Sequence, residues 1–272
     1  SRHNRTSSTP GQTGGGPAAE HCYTSGLLYH HLLTGCPDSR QTVLDLGQWM
    51  VNLHEGCGGF LEQILALKKQ ELPKLKNLLK GKPTNRYQYP LTRGTGNYLN
   101  TLLDAHTLEP DAHWLSLAGS VIENTLHPAD NLAQRDLLDI EPNWHYVVFL
   151  DAVSRYLLCK QEQSDSDEHY YYALGCFRHY LRWMLENEQP YLSHPEQLEF
   201  PNKTWAAQDI RKAMLLFKAI HLDPQWADCY KRRANDFLSL TVKALETSTE
   251  KSFTRLQTIL FQNSMPHLCP AY

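Results

Sequence analysis

Several patterns by which a sequence announces its chemistry are missing here. No HExxH, EF-hand loop, Walker A or GxSxG pattern occurs, so no metal, nucleotide or serine-nucleophile site is signalled. Cysteine occurs seven times, as Cys22, Cys36, Cys57, Cys159, Cys176, Cys229 and Cys269, an odd number with no CxxC pair. Disulfide frameworks and zinc ribbons show neither habit, so neither a structural disulfide nor a zinc site is expected. No apolar run approaches the roughly 18 residues of a membrane span, and no signal peptide opens the chain at Ser1. An excess of one charge is lacking too. A net charge of -3 and a pI near 6.5 give no electrostatic reason to expect nucleic acid or anionic lipid. Sustained alternation of apolar and β-branched residues at period two is absent, which excludes strands as major elements. These absences leave a soluble, all-α chain with no cofactor, and with neither nucleic acid nor membrane as partner.

What is present is helical periodicity and a generous aromatic supply, six Trp and 14 Tyr in 272 residues. The hydrophobic content of 41% is enough to bury a full core. Residues 1–18 are polar and Gly-rich and read as an irregular leading loop; residues 19–272 read as one helical domain. With no initiator Met, the chain is expected to lack an N-terminal part of its own fold.

Helices are expected over 19–34, 39–54, 95–108, 112–126, 143–160, 167–187, 205–222, 224–246 and 251–263, with two short ones over 61–80 broken at Pro73. Asp38 and Thr204 are expected N-caps, and Asp223 with Pro224 is a clean start signal. The apolar residues fall into stripes, such as Val43, Leu46, Met50 and Leu53, or Ile210, Met214, Phe217 and Ile220. The helices therefore form four antiparallel hairpins with irregular spacing, unlike the fixed period of tandem helical repeats. Turns within each pair are short; connections between pairs are long, at 55–94, 127–142 and 187–204. All long loops lead into the first helix of a pair. The first helices should form an inner layer and the second an outer one, with the functional face at the N-terminal ends of the inner helices.

That face is rich in aromatics beside titratable groups. The leading loop holds Arg5, and the first helix opens Glu20, His21, Cys22, Tyr23. Arg93 precedes the second, Trp144 and His145 open the third, and Trp205, Asp209 and Arg211 open the fourth. Such groups suit a polyhydroxylated, acidic ligand: sugar rings stack on Trp and Tyr, and their hydroxyls need donors and acceptors. Helix N-termini add a partial positive potential.

The stretches GPAAEHCYTSGLLYHHLLTG (16–35), CPDSRQTVLDLGQWMVN, RGTGNYLNTLLDAH (93–106) and KTWAAQDIRKAMLLFKAI (203–220) resemble hairpins of carbohydrate-active enzymes with an α/α toroid, the six-hairpin glycosidases and the toroidal polysaccharide lyases. The resemblance implies an incomplete toroid acting on an oligo- or polysaccharide. Toroidal lyases use Tyr and His as base and acid and neutralise a uronate carboxylate; toroidal hydrolases use carboxylates. From placement on the face, Tyr23, Tyr98, His3, His21 and His145 are the groups that elimination would draw on, and His21, Tyr23 and His145 are the candidate catalytic residues. Arg5, Glu20, Arg93, Trp144, Trp205, Asp209 and Arg211 are the candidate substrate-binding residues. Glu20, Asp139, Glu141 and Asp209 are the carboxylates that hydrolysis would draw on. The competing reading is a non-catalytic helical-repeat scaffold for a protein partner, suggested by LDPQWADCYKRRANDFLSL (222–240).

Overall fold

The computed structural model describes residues 19–56, 87–249 and 254–263, together with 59–61 and 64. His3, Arg5, Cys57 and Cys269 lie outside the described residues, as do the short helices expected over 61–80 apart from residues 61 and 64. Among those described there is no strand. The chain is an all-α array of helical hairpins: α1 (Ser25–Thr34), α2 (Pro37–Glu55), α3 (Arg93–Leu108), α4 (Ala112–Glu123), α5 (Tyr146–Glu162), α6 (Glu168–Asn187), α7 (Lys203–Leu222), α8 (Ala227–Glu246) and α9 (Thr254–Asn263).

The ends of these helices follow local chemistry, although not always through the residue expected. α1 and α2 each stop at a glycine in the left-handed region, Gly35 (φ 70°) and Gly56 (φ 69°), where a side chain would be strained. α2 starts at Pro37 after an extended Cys36, one residue before the expected Asp38 cap, because proline at the first helical position gives up no hydrogen bond. Asn202, not Thr204, caps α7, its side chain accepting from the Thr204 amide. Asp167 caps α6 in the same way, accepting from the Tyr170 amide.

Burial separates first helices from second. α3, α5 and α7 are buried around most of their circumference, with 12 of the 20 residues of α7 inaccessible. A helix buried on most sides belongs in a core. Their partners are buried only along a stripe: α8 buries Tyr230, Ala234, Phe237 and Thr241, spaced by four, three and four residues. The first pair departs from the expected layering. Leu28 is the only buried residue of α1.

The chain divides into two compact units, the first comprising residues 1–88 and 93–117, the second 89–92 and 118–272. In the first, α1, α2 and α3 pack on one another. Gly47 permits that approach, because a Cβ there would stand 3.3 Å from the Ala105 Cβ on α3. Tyr98, fully buried on α3, stacks on His54 and donates to Glu55, tying α3 to the end of α2. In the second unit α7 is the hub, packed against α5, α6, α8 and α9.

Candidate functional site

The residues expected to carry chemistry fall into two groups, one in each unit. In the first unit, a 3-10 turn, Ala19–His21, packs on α3, and the Asn97 side chain donates to the Glu20 carbonyl at 2.7 Å. The next residues alternate. Cys22 and Thr24 are buried, and Thr24 donates to the buried Asp104 carboxylate at 2.6 Å. Ser25 donates to the same oxygen at 2.8 Å. With Cys22 and Thr24 pinned inward, His21 and Tyr23 face solvent, their ring centroids 6.2 Å apart. Glu20 bridges the group: one carboxylate oxygen lies 3.4 Å from His21 Nε2 and the other 3.5 Å from an Arg93 terminal nitrogen. Four of the expected residues, Glu20, His21, Tyr23 and Arg93, thus stand together on one unit. Burial raises the pKa of the Cys22 thiol above its ordinary value, which fits a core group and not a nucleophile.

In the second unit the helix expected from 143 begins at Tyr146, preceded by a single helical turn, Ile140–Asn143. Trp144 and His145 occupy the joint between them. Their rings meet edge to face at 5.3 Å, and Trp144 meets Trp205, in the first turn of α7, at 6.3 Å. Trp205 in turn packs on Tyr191 at 5.5 Å. Trp144, His145 and Trp205 are half-buried, so this is an aromatic shelf open to solvent on one side.

Beneath the shelf is a buried ionic cluster centred on Lys212. Its ammonium donates to the Gln189 carbonyl at 2.7 Å and lies 2.8 Å from a Glu188 carboxylate oxygen and 3.2 Å from one of Asp209. It also sits 3.3 Å from the centroid of the Tyr191 ring. Asp209 accepts the Tyr191 amide at 3.0 Å. Glu188 accepts the Tyr146 hydroxyl at 2.6 Å. Burial pushes the Asp209 carboxyl up to about 6 in spite of the pull of Lys212, and Glu188 adds to the rise. Burial, then the charge of Glu188, raises the Tyr146 phenol well above its ordinary range.

Asp209 and Arg211 were expected to touch a ligand. The structure places Asp209 in the core with its oxygens taken by Lys212 and the Tyr191 amide, so it supports the shelf from below. Arg211 is half-buried and donates to Gln208 and to Asn263 of α9. Glu141, named among the carboxylates for hydrolysis, accepts the amides of Glu199 and Phe200 and so anchors the connection into α7.

Sequence reasoning missed Glu188, Tyr191 and Lys212. Lys212 had a signal: it stands in the buried register of α7, three residues after Asp209. Glu188 and Tyr191 lie in a loop without periodicity and had none. Among the described residues no cluster of His, Cys, Asp and Glu could hold a metal ion. Comparison of the chain with protein-family models, with curated proteins and with solved structures returned no match.

Proposed function

We propose that this chain is a carbohydrate-active enzyme of the α/α-toroid kind that cleaves glycosidic bonds in an acidic oligo- or polysaccharide, and that it does so by β-elimination. The observation that carries the reading is the group on the first unit. Elimination needs a base for the proton at C5 of a uronate, an acid for the leaving oxygen, and a cation or donor that quenches the carboxylate so that the proton can be removed. Tyr23, His21 and Arg93 supply one group for each need and lie side by side, Tyr23 and His21 on the solvent side.

Hydrolysis would instead draw on two carboxyl groups facing each other across the bond. Asp209 and Glu141 are committed to holding the fold, which favours elimination. The Trp144–Trp205 shelf of the second unit, with His145 at its edge, is by itself a surface on which sugar rings can stack.

The test is incubation with a panel of uronate polymers: polygalacturonate, alginate and hyaluronan. Elimination leaves an unsaturated uronate that absorbs in the ultraviolet, whereas hydrolysis releases reducing ends without it. Release of neither product from any acidic or neutral polymer would point to the scaffold reading.

A further inference from the structure

We infer that Lys212 is a positioning residue for the Trp144–Trp205 shelf, acting through Tyr191 and the backbone of residues 188–191, and that the charge on Asp209 sets how firmly it holds. That the shelf binds saccharide rests on the function proposed above; that Lys212 holds the shelf does not.

The connection from α6 to α7 carries Tyr191 at one end and runs into Trp205 at the other. Its far end is anchored by Glu141, which takes the Glu199 and Phe200 amides, and the Phe200 carbonyl accepts the Trp205 indole at 3.3 Å. Its near end is anchored by Lys212. An ammonium has three donors and no acceptor, and here the three are directed at Gln189, Glu188 and Asp209. The Tyr191 ring lies directly over the charge, a cation–π contact strengthened by exclusion of water. Tyr191 then braces Trp205. The phenol oxygen of Tyr191 is buried without a hydrogen-bond partner, so the ring is held by its face and its amide and not by its hydroxyl.

A buried ion cluster is a poor means of stabilising a fold, since well-packed apolar side chains of similar volume do as well or better. It does fix one arrangement among several. Charge counting adds a control. Two buried carboxylates, Glu188 and Asp209, share one buried ammonium. The other titratable groups acting on Asp209 are the phenols of Tyr191, from the connection, and Tyr146, from α5; Arg211 on α7 and Arg233 on α8 are bonded to other partners. The Arg233 guanidinium donates to the Glu188 carbonyl and lies over Phe237, and from α9 Asn263 engages Arg211. The surplus negative charge falls on Asp209, the member held up to about 6 by burial. Ionised, it accepts the Tyr191 amide in a charge-assisted bond; protonated, it holds that amide less strongly.

The experiment is amide hydrogen exchange, expressed as protection factors so that the intrinsic pH dependence is removed. In K212M, protection over 188–193 should fall by roughly tenfold or more while the interiors of α5 and α8 stay within about twofold of wild type. Unchanged protection over 188–193, or an equal loss throughout the second unit, would overturn the inference, the latter because it marks a merely structural lysine. Should K212M not fold, D209N keeps the lysine and serves instead. Wild-type protection at Tyr191 should drop as pH falls through about 6, and in D209N it should be flat; a wild-type profile without that step overturns the charge control. With oligogalacturonate as substrate, K212M should raise KM about tenfold with kcat within about twofold, as expected for a group that acts on binding alone. If the exchange results hold and wild type neither binds nor cleaves any acidic or neutral polymer, the positioning role stands and the saccharide reading falls.

Discussion

At the scale of single residues, the first unit shows how a short run of chain sorts its side chains by burial. Residues 22 and 24 turn inward to Thr101 and Asp104, which leaves 21 and 23 facing out. Because Tyr23 and His21 are exposed, their removal should disturb the fold little and the chemistry greatly. Tyr23→Phe and His21→Ala are each expected to cut turnover on a uronate polymer by roughly 10²–10⁴-fold, the usual worth of a general base or acid. His145→Ala is the parallel test for the second unit. Steady-state rates with unchanged circular dichroism are the measurement.

Asp209 makes a second residue-scale prediction, with a sign that can be worked out. Its carboxyl rises from an ordinary 3.8 to about 6 in the folded chain, chiefly through burial. Between those values the folded chain keeps a proton that the unfolded chain has released. This group therefore makes stability fall as pH rises from about 4 to about 6, with no further loss above. Asn at this position cannot ionise. Urea unfolding of wild type and D209N should show the variant gaining on wild type as pH rises through that window; a difference independent of pH would refute the assignment.

At the scale of elements, Asp223 illustrates what a sequence shows and what it conceals. The Asp-Pro pair marked a helix start, and the chain does turn there, through the 3-10 turn Pro224–Trp226 into α8. The Asp223 side chain makes no cap bond, however. It accepts Arg182 of α6 in a fork, both contacts 2.9 Å, and the buried Tyr230 hydroxyl of α8 at 2.9 Å. One carboxylate thus joins α6, the turn and α8, and the bonded Arg182 guanidinium has its pKa raised above the ordinary value. Asp223→Ala should cost about 2–4 kcal/mol, because it removes the acceptor of the buried Tyr230 hydroxyl and the carboxylate that pairs with Arg182 and Arg178. Asp223→Asn, which keeps part of the bonding, should cost less. Urea unfolding followed by circular dichroism checks both.

Helix positions were legible because 3.6-residue periodicity, glycine stops and proline starts are local signals, and most ends fall within a few residues of expectation. The group Glu20, His21, Tyr23 and Arg93 was legible because all four sit at loop-to-helix joints. The ionic floor under the shelf was not. Glu188, Tyr191 and Lys212 meet only through packing of the α6–α7 connection onto α7, and the sequence marks no such long-range pairing. Asp209 was placed on the right element and given the wrong task, since a helix position near an N-terminus does not say which way the side chain points.

At the scale of the whole molecule, the cysteines report on how each unit is closed. Five are described, and all are free thiols in graded surroundings. Cys229 is exposed, and Cys36, at the N-cap of α2, has its thiol pKa lowered first by the Ser39 amide and then by its hydroxyl. Cys159 is half-buried, and burial raises its pKa. Cys22 in the first unit and Cys176 in the second are buried, and burial raises both, Cys176 the more strongly. A thiolate is the reactive form, and a buried thiol reacts only when its surroundings open. Native protein treated with an aromatic disulfide reagent should therefore modify Cys229 and Cys36 first, Cys159 next, and Cys22 and Cys176 slower by roughly a hundredfold or more. Mapping the labelled peptides over time assigns each rate to its residue and keeps Cys57 and Cys269 apart from the five. Because Cys22 and Cys176 stand in different units, their slow phases measure the opening of each unit separately. If Cys176 reacted as fast as Cys229, the core around α6 would be open and the packing described for the second unit would be wrong. The same reagent on denatured, unreduced protein should titrate all seven thiols in the sequence; fewer than about six would mean a disulfide and overturn the inference drawn from their odd count and spacing.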